Sequence, residues 1–369
     1  MKIIWLSWKD IRHPKAGGAE VVSTELIKGL VKDGHEVILV TGQYPGSKDT
    51  DVADGYKTVR VGSSFSVYWQ AYRYIKRNLL DWPDFVIEEI NTIPFCSRLY
   101  LRHKPRLLFF HMLCREIWFY QLPIPASLIG YLIEPLYLRF LSSEKAIAMS
   151  QSTKNDLTRF GFKQQNITVI SEGIQLEPML ELASCQKYDR PTIASLGNFR
   201  PMKRTMDQIR AFEIAKAKIP TLQMKIAGDG SGNYGKKVLD AIANSPYSKD
   251  IECLGRVSAL SVEKYQLLQK AHIITVTSIK EGWGLIVTEA ASQGTPAVVY
   301  NVDGLRDSVK DNITGVICSQ NTPANMAANV IDLLSDEKRY QKLRENAWQW
   351  SKKINFENSY KQLSQEIKL

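Results

Sequence analysis

Glu281 and Glu289 stand with seven residues between them, around Gly282-Trp283-Gly284, and Leu285 to Gln293 follow without a breaker up to Gly294. Immediately before them, His272 to Ser278 is an apolar, β-branched run that predicts a buried parallel strand. Glu281 is therefore expected on the loop at the carboxyl end of a strand, with Gly282 and Gly284 at the start of a short helix. Open α/β sheets take their ligands at such places. Glycines there let a phosphate approach the backbone, and the free amides of a helix start favour its negative charge. An ionised carboxylate only accepts hydrogen bonds, so Glu281 and Glu289 suit the hydroxyls of sugars flanking a phosphate rather than the phosphate itself.

Three other places carry residues that could join this chemistry. The run Thr192 to Gly197 predicts a strand, and the loop after it, Asn198 to Arg204, gathers Arg200, Lys203 and Arg204. Two cations at a leaving diphosphate are what a reaction without a metal needs, although a solvated basic loop reads the same way. Near the start, Gly17-Gly18 close a long polar loop and can line a phosphate; the loop lacks G-x-G-x-x-G, which excludes a dehydrogenase fingerprint. His111 falls at the carboxyl end of the strand-like run 106–111.

The elements that position these groups follow from periodicity. A strand at 2–7, a helix at 19–30 with Val22, Leu26, Ile27 and Leu30 on one face, and a strand at 36–41 make a βαβ unit that opens a doubly wound sheet. Further strands are expected at 59–61, 84–89, 106–111, 145–150 and 168–170, then at 192–197, 223–228 and 251–257. Helices are expected at 66–80, 152–160, 261–270, 323–334, 337–354 and 356–368. A chain of 369 residues exceeds one ordinary core and predicts two domains, 1–172 and 173–355, with a closing segment 356–369.

A net charge of +10 calls for an anionic partner. Nucleotide-sugar phosphates and anionic lipid both fit; the absence of any helix-turn-helix, zinc-finger or RNP-type pattern argues against nucleic acid. Met1 to Ser7 is too short for a signal peptide's apolar region. The longest apolar stretch, 122–141, is broken by Pro123, Pro125, Gly130, Glu134, Pro135 and Arg139, so no membrane span is expected. Cys96, Cys114, Cys185, Cys253 and Cys318 show no paired spacing, which predicts reduced thiols in a cytoplasmic protein. The helix at 66–80 sets Tyr68, Trp69, Tyr72 and Tyr74 among basic residues, and aromatic residues again follow the basic stretch 98–115. These aromatics either rest on the inner face of an anionic membrane or form core; both readings stand open at this point.

With the strand before them, the Gly-Trp-Gly between them and the Ala290-x-x-x-Gly294-x-Pro296 tail after them, Glu281 and Glu289 resemble the E-x7-E signature of retaining nucleotide-sugar glycosyltransferases of family 4, of the GT-B fold. The resemblance runs over nearly the whole chain and implies an α/β protein of two Rossmann-like domains facing each other across a cleft. It implies a donor site in the second domain: Glu289 on the ribose, Glu281 on the transferred sugar, and Gly282, Trp283, Gly284 and Leu285 around the diphosphate with Lys203. The segment Asn198 to Arg204 resembles the family's Gly-Arg-x-x-x-x-Lys-Gly loop. Lys203 matches its Lys; Asn198 stands where its Arg is expected, leaving Arg200 or Arg204 to supply the second cation. Gly17-Gly18 resembles the amino-terminal Gly-Gly loop that borders the diphosphate and the acceptor, and His111 matches the family's active-site histidine near the transferred sugar. Ser171 to Gln175 resembles the hinge segment, with Glu172 and Gln175 in place of its Asn and Asp, and the loop after 251–257 is where the base would lie.

The implied reaction moves a sugar from a nucleotide-diphosphate sugar to a hydroxyl of a glycan or lipid-linked acceptor. Configuration would be retained by same-face attack, with neither metal nor other cofactor. A nucleotide-sugar 2-epimerase or a sugar phosphorylase shares the fold, and a silent nucleotide-sugar-binding protein on the membrane surface is the alternative from another class.

Overall fold

The computed structural model describes residues 1–258 and 261–367. Residues 259–260, in the loop given to the base, and Lys368, at the end of the expected closing helix, lie outside them. The chain forms two compact units, Met1–Gly173 with the closing helix Phe356–Ile367, and Ile174–Asn355.

The amino-terminal unit is built on eight strands: β1 (Lys2–Leu6), β2 (Glu36–Thr41), β3 (Thr50–Ala53), β4 (Tyr56–Arg60), β5 (Phe85–Ile90), β6 (Arg106–Phe110), β7 (Lys145–Ala148) and β8 (Ile167–Val169). Their order is β3-β4-β2-β1-β5-β6-β7-β8, parallel except for the antiparallel β3–β4 pair. Strands such as Lys2–Leu6 and Arg106–Phe110 are buried along almost their whole length, as strands covered on both faces must be. From the β1–β5 pair the order runs outward in opposite directions, so the loops after β1 and β5 flank a topological switch point.

The carboxyl-terminal unit repeats the plan with β9 (Thr192–Leu196), β10 (Gln223–Ala227), β11 (Ile251–Gly255), β12 (Ile273–Val276), β13 (Ala297–Val299) and β14 (Gly315–Ile317). The order β11-β10-β9-β12-β13-β14 is wholly parallel and reverses at the β9–β12 pair, where Ile193 lies beside Ile273 and Ala194 beside Ile274. Its core fills both faces of this sheet, with Phe212, Ile226, Val298 and Leu333 on one side and Leu268, Ile274, Val287 and Leu305 on the other.

Two elements depart from the expected pattern. Residues 50–60 form a hairpin where a single short strand at 59–61 is expected; Asp54 and Gly55, both at positive φ, make its turn. The stretch 122–141, for which no helix is among those expected, holds the helix Ala126–Leu141 with Pro135 inside it. Leu138 and Leu141 join the core, yet its outer face is apolar as well. Glu134 points inward and accepts bonds from the Cys114 and Arg115 amides (both 2.7 Å) and from Trp118 Nε1 (2.9 Å), while Leu128, Ile129, Leu132, Ile133, Leu136 and Phe140 are exposed. No described helix is long and apolar enough to cross a membrane.

The closing helix packs on the helix Gly18–Lys32. A Cβ at Gly29 would sit 2.3 Å from the Tyr360 ring, Tyr360 Oη donates to Asp33 (2.5 Å), and Thr168 donates to Glu366 (2.7 Å). No disulfide joins the five cysteines.

Candidate functional site

In the carboxyl-terminal unit the loops after β9 and β12 meet at the switch point. Ile279 N donates to Met202 O (2.8 Å), and Thr277 Oγ1 donates to the Lys203 and Arg204 carbonyls (2.9 and 3.0 Å), so the basic loop is stitched to the glutamate loop. Gln208 extends this seam, bonded to Thr277 (3.0 Å) and Thr275 (3.1 Å). The side chains then converge: Glu281 Oε1 accepts from Lys203 Nζ and from Ser278 Oγ, each at 2.5 Å. A narrow crevice there is lined by Gly197, Lys203, Gln208, Ser278 and Glu281.

Gly284 caps the helix Leu285–Ser292 at φ +93°, a left-handed conformation that glycine adopts without strain. No side chain caps this helix, and its first amides lack intrahelical acceptors. Trp283 plays another part than its place in the motif implies. Its ring is buried with Ile174 and Ile354 and stacks on Trp350 (6.2 Å), so only its backbone, with that of Gly282 and Leu285, is left for a ligand.

Glu289 lies on the same helix, ion-paired to Lys264 Nζ (2.7 Å) on the helix Val262–Lys270. Burial pushes its carboxyl up and Lys264 opposes that shift. Of the other cations, Arg204 is already engaged, paired with Asp207 (2.6 Å) and lying over the Tyr300 ring (5.0 Å); Arg200 and Asn198 are exposed.

Gly304 is a residue the motif reading missed. At φ +79°, a Cβ on it would meet the Glu281 carbonyl oxygen at 2.3 Å, and the Glu281 amide donates to neighbouring Asp303 (3.0 Å). Gly304→Ala should therefore displace Glu281. We expect donor affinity to fall by about tenfold, the worth of one charge-assisted bond lost from a displaced Glu281; titration of the donor against both proteins checks it.

In the amino-terminal unit, the loop after β1 is held by ion pairs. Asp10 pairs with Arg60 (2.6 Å), both buried, and Lys9 with Glu20 (3.0 Å). Gly17 and Gly18 are exposed, and the Gly17 amide donates to Glu20 Oε2 (2.6 Å), the glutamate half of a capping box, since glycine has no side chain to return the bond.

His111, just beyond β6, lies between two carboxylates: Nε2 is 3.2 Å from Glu89 and Nδ1 is 3.5 Å from Glu172. Glu89 also accepts from Trp5 Nε1 (3.1 Å), Ser23 Oγ (2.8 Å) and Asn91 Nδ2 (3.0 Å). Burial lowers the imidazole pKa, but the bonds to Glu172 and Glu89 outweigh it and raise the value to about 10. His111 is thus an imidazolium at neutral pH. The successive glutamates of β5 point to opposite faces: Glu89 to this cluster, Glu88 to the Cys96 and Ser97 amides (2.9 and 3.0 Å).

Comparisons agree with this architecture. The family model described as Glycosyl transferases group 1 matches residues 184–350, and that of Glycosyltransferase Family 4 matches residues 16–178. The N-acetyl-alpha-D-glucosaminyl L-malate synthase of Bacillus anthracis is 21% identical over 91% of this chain and 89% of its own. Among solved structures, sucrose-phosphate synthase from Thermosynechococcus elongatus superposes with a TM-score of 0.80 at 19% identity, covering 99% of this chain and 98% of that one. Anabaena HepE in complex with UDP-glucose gives a TM-score of 0.71 at 15% identity, covering 100% and 99%. Both halves carry their own family match, and the chain belongs to the family 4-type glycosyltransferases of the GT-B fold.

Proposed function

We propose that this glycosyltransferase moves a hexosyl group from a nucleotide-diphosphate sugar to a hydroxyl of a glycan or lipid-linked acceptor, with retention of configuration. The observation that carries the reading is the convergence of Lys203 and Glu281 on the switch point of the carboxyl-terminal sheet, beside the uncapped helix start at Gly284. In the donor complex Lys203 would exchange its bond to Glu281 for the diphosphate, joined by the amides around Gly284 and Leu285. Glu281 would then be released to the hydroxyls of the transferred sugar, and Glu289 would hold the ribose. Arg200, exposed on the same loop, is the better candidate for the second cation, because Arg204 is engaged with Asp207 and Tyr300.

The acceptor side is assigned to the amino-terminal unit, with Gly17, Gly18 and the His111 cluster. No carboxylate has a clear nucleophile's place, so the leaving phosphate would take the acceptor proton during same-face attack. A metal is not needed in this scheme, since cations and amides meet the developing charge. The solved HepE complex with UDP-glucose supports a nucleotide-sugar donor. The exposed apolar face of the helix Ala126–Leu141, in a basic chain, supports a peripheral site on an anionic membrane.

Binding and slow hydrolysis across a panel of UDP-, GDP- and ADP-sugars tests the reading. One donor should bind, and Glu289→Ala should weaken it about 10- to 100-fold, the worth of charge-assisted bonds to two hydroxyls. Turnover should survive chelation. No binding of any nucleotide sugar would sink the proposal, and activity lost to chelator and restored by Mn²⁺ would replace its metal-free step.

A further inference from the structure

Between the helix Val67–Asn78 and the segment Pro94–His103, the amino-terminal unit holds a cavity of about 740 Å³. That is the size of a site for a small organic ligand. Its walls are apolar and aromatic, with Tyr68, Trp69, Tyr72, Phe95, Leu99 and Tyr100, and it takes no carboxylate into its lining. Trp69 packs on Tyr72 and Tyr72 on Tyr100, each ring pair at 5.2 Å, and Glu88 pins the Cys96–Ser97 turn from behind. The lining also includes three exposed basic residues, Lys76, Arg102 and His103. Lys76 lies over the Tyr72 ring at 5.7 Å. The Tyr100 hydroxyl is buried and makes no hydrogen bond within the protein.

One contact joins this cavity to the outward apolar face of the helix Ala126–Leu141. Arg98 donates to the Phe140 carbonyl (2.7 Å) and lies over the Phe140 ring (5.0 Å), and Leu99 beside it is exposed. Leu132, Leu136 and Phe140 are exposed on that helix and Leu99 and Trp69 at the cavity, with the Arg98 guanidinium, paired to Glu144 (3.4 Å), between Phe140 and Leu99 in this contact. None of these residues belongs to the His111 cluster or to the Lys203–Glu281 site.

We propose that this cavity takes the apolar chain of a phosphate-headed membrane lipid, with Lys76 and Arg102 holding the phosphate. The apolar walls suit the chain and the two cations, Lys76 and Arg102, suit the head, so charge complementarity and the neighbouring exposed helix face select the same occupant. The inference rests on the membrane-surface part of the reading above, and it concerns binding rather than transfer.

The test is dodecyl phosphate titrated into the full chain below its micellar concentration, with Trp69 fluorescence isolated by comparison with Trp69→Phe. Saturable binding is expected. Lys76→Ala with Arg102→Ala should raise Kd about tenfold or more, through loss of charge-assisted bonds. Leu99→Trp, in the lining of the cavity, should weaken binding by taking up part of the space for the chain. Failure to saturate, or indifference to Leu99→Trp, would overturn the proposal. Equal binding of dodecyl maltoside would overturn the phosphate's part, and equal binding of inorganic phosphate the chain's part. Sedimentation with phosphatidylglycerol vesicles is read separately: co-sedimentation without dodecyl phosphate binding would keep the membrane reading and reject the cavity. Saturable binding without co-sedimentation would reject the bilayer as the source of the chain.

Discussion

Lys203→Ala is expected to lower kcat/KM by about 100- to 1000-fold, the loss seen when one preorganised group at a developing anion is removed. Lys203 sits on the short turn Pro201–Lys203, and its backbone is held by Thr277, so the substitution removes a charge without loosening the loop. Glu281 would keep its bond from Ser278. The effect should fall mostly on kcat if Lys203 meets charge that develops as the diphosphate leaves, and mostly on KM if it only binds ground-state donor. Arg204→Ala is the contrasting variant. Its guanidinium is held by Asp207 and Tyr300, so it should lose stability and much less turnover. Steady-state kinetics on the two variants with one donor checks this, and equal losses would move the diphosphate contact to Arg204.

His111→Ala should destabilise the amino-terminal unit by about 3–5 kcal/mol, as removal of one partner from a buried ion pair does. The variant leaves Glu89, fully buried, without its cationic partner, and Glu172 without its contact. Adding Glu89→Gln to His111→Ala should recover part of the loss, because no buried charge then lacks a partner. The pH dependence has a definite sign. The imidazole pKa in the fold, about 10, lies above its unfolded value of 6.5, so the pairing contributes in full below 6.5 and is lost as pH rises through about 10. Thermal unfolding at pH 6, 8 and 10 should show the wild type losing more of its Tm than the double variant. Turnover should show no limb near pH 6.5 from this group if, as proposed, His111 acts as a hydrogen-bond donor and positive charge rather than as a base. A kinetic limb near 6.5 that vanishes in His111→Ala would refute that role.

The sequence by itself determined the parts of this protein whose causes are local. The strand at 272–278, the glycines at 282 and 284 and the helix to Gly294 lie within a few turns of one another, and period and breaker residues place them. The same local signals marked the strand-to-loop positions of Lys203 and His111, and with them the doubly wound class of both halves. Only the tertiary structure decided which side chains meet. Lys264 reaches Glu289 across 25 residues and Glu89 reaches His111 across 22, and nothing in the spacing of a strand names the face to which each glutamate turns. Trp283 stands inside the motif yet packs in the core, because the cluster of Ile174, Ile354 and Trp350 forms only when distant segments fold together. Likewise the helix Ala126–Leu141 turns six large apolar side chains outward while its one buried carboxylate finds three donors on the preceding loop and helix. Periodicity shows that a helix has two faces; what those faces are packed against is settled by contacts far apart in the chain.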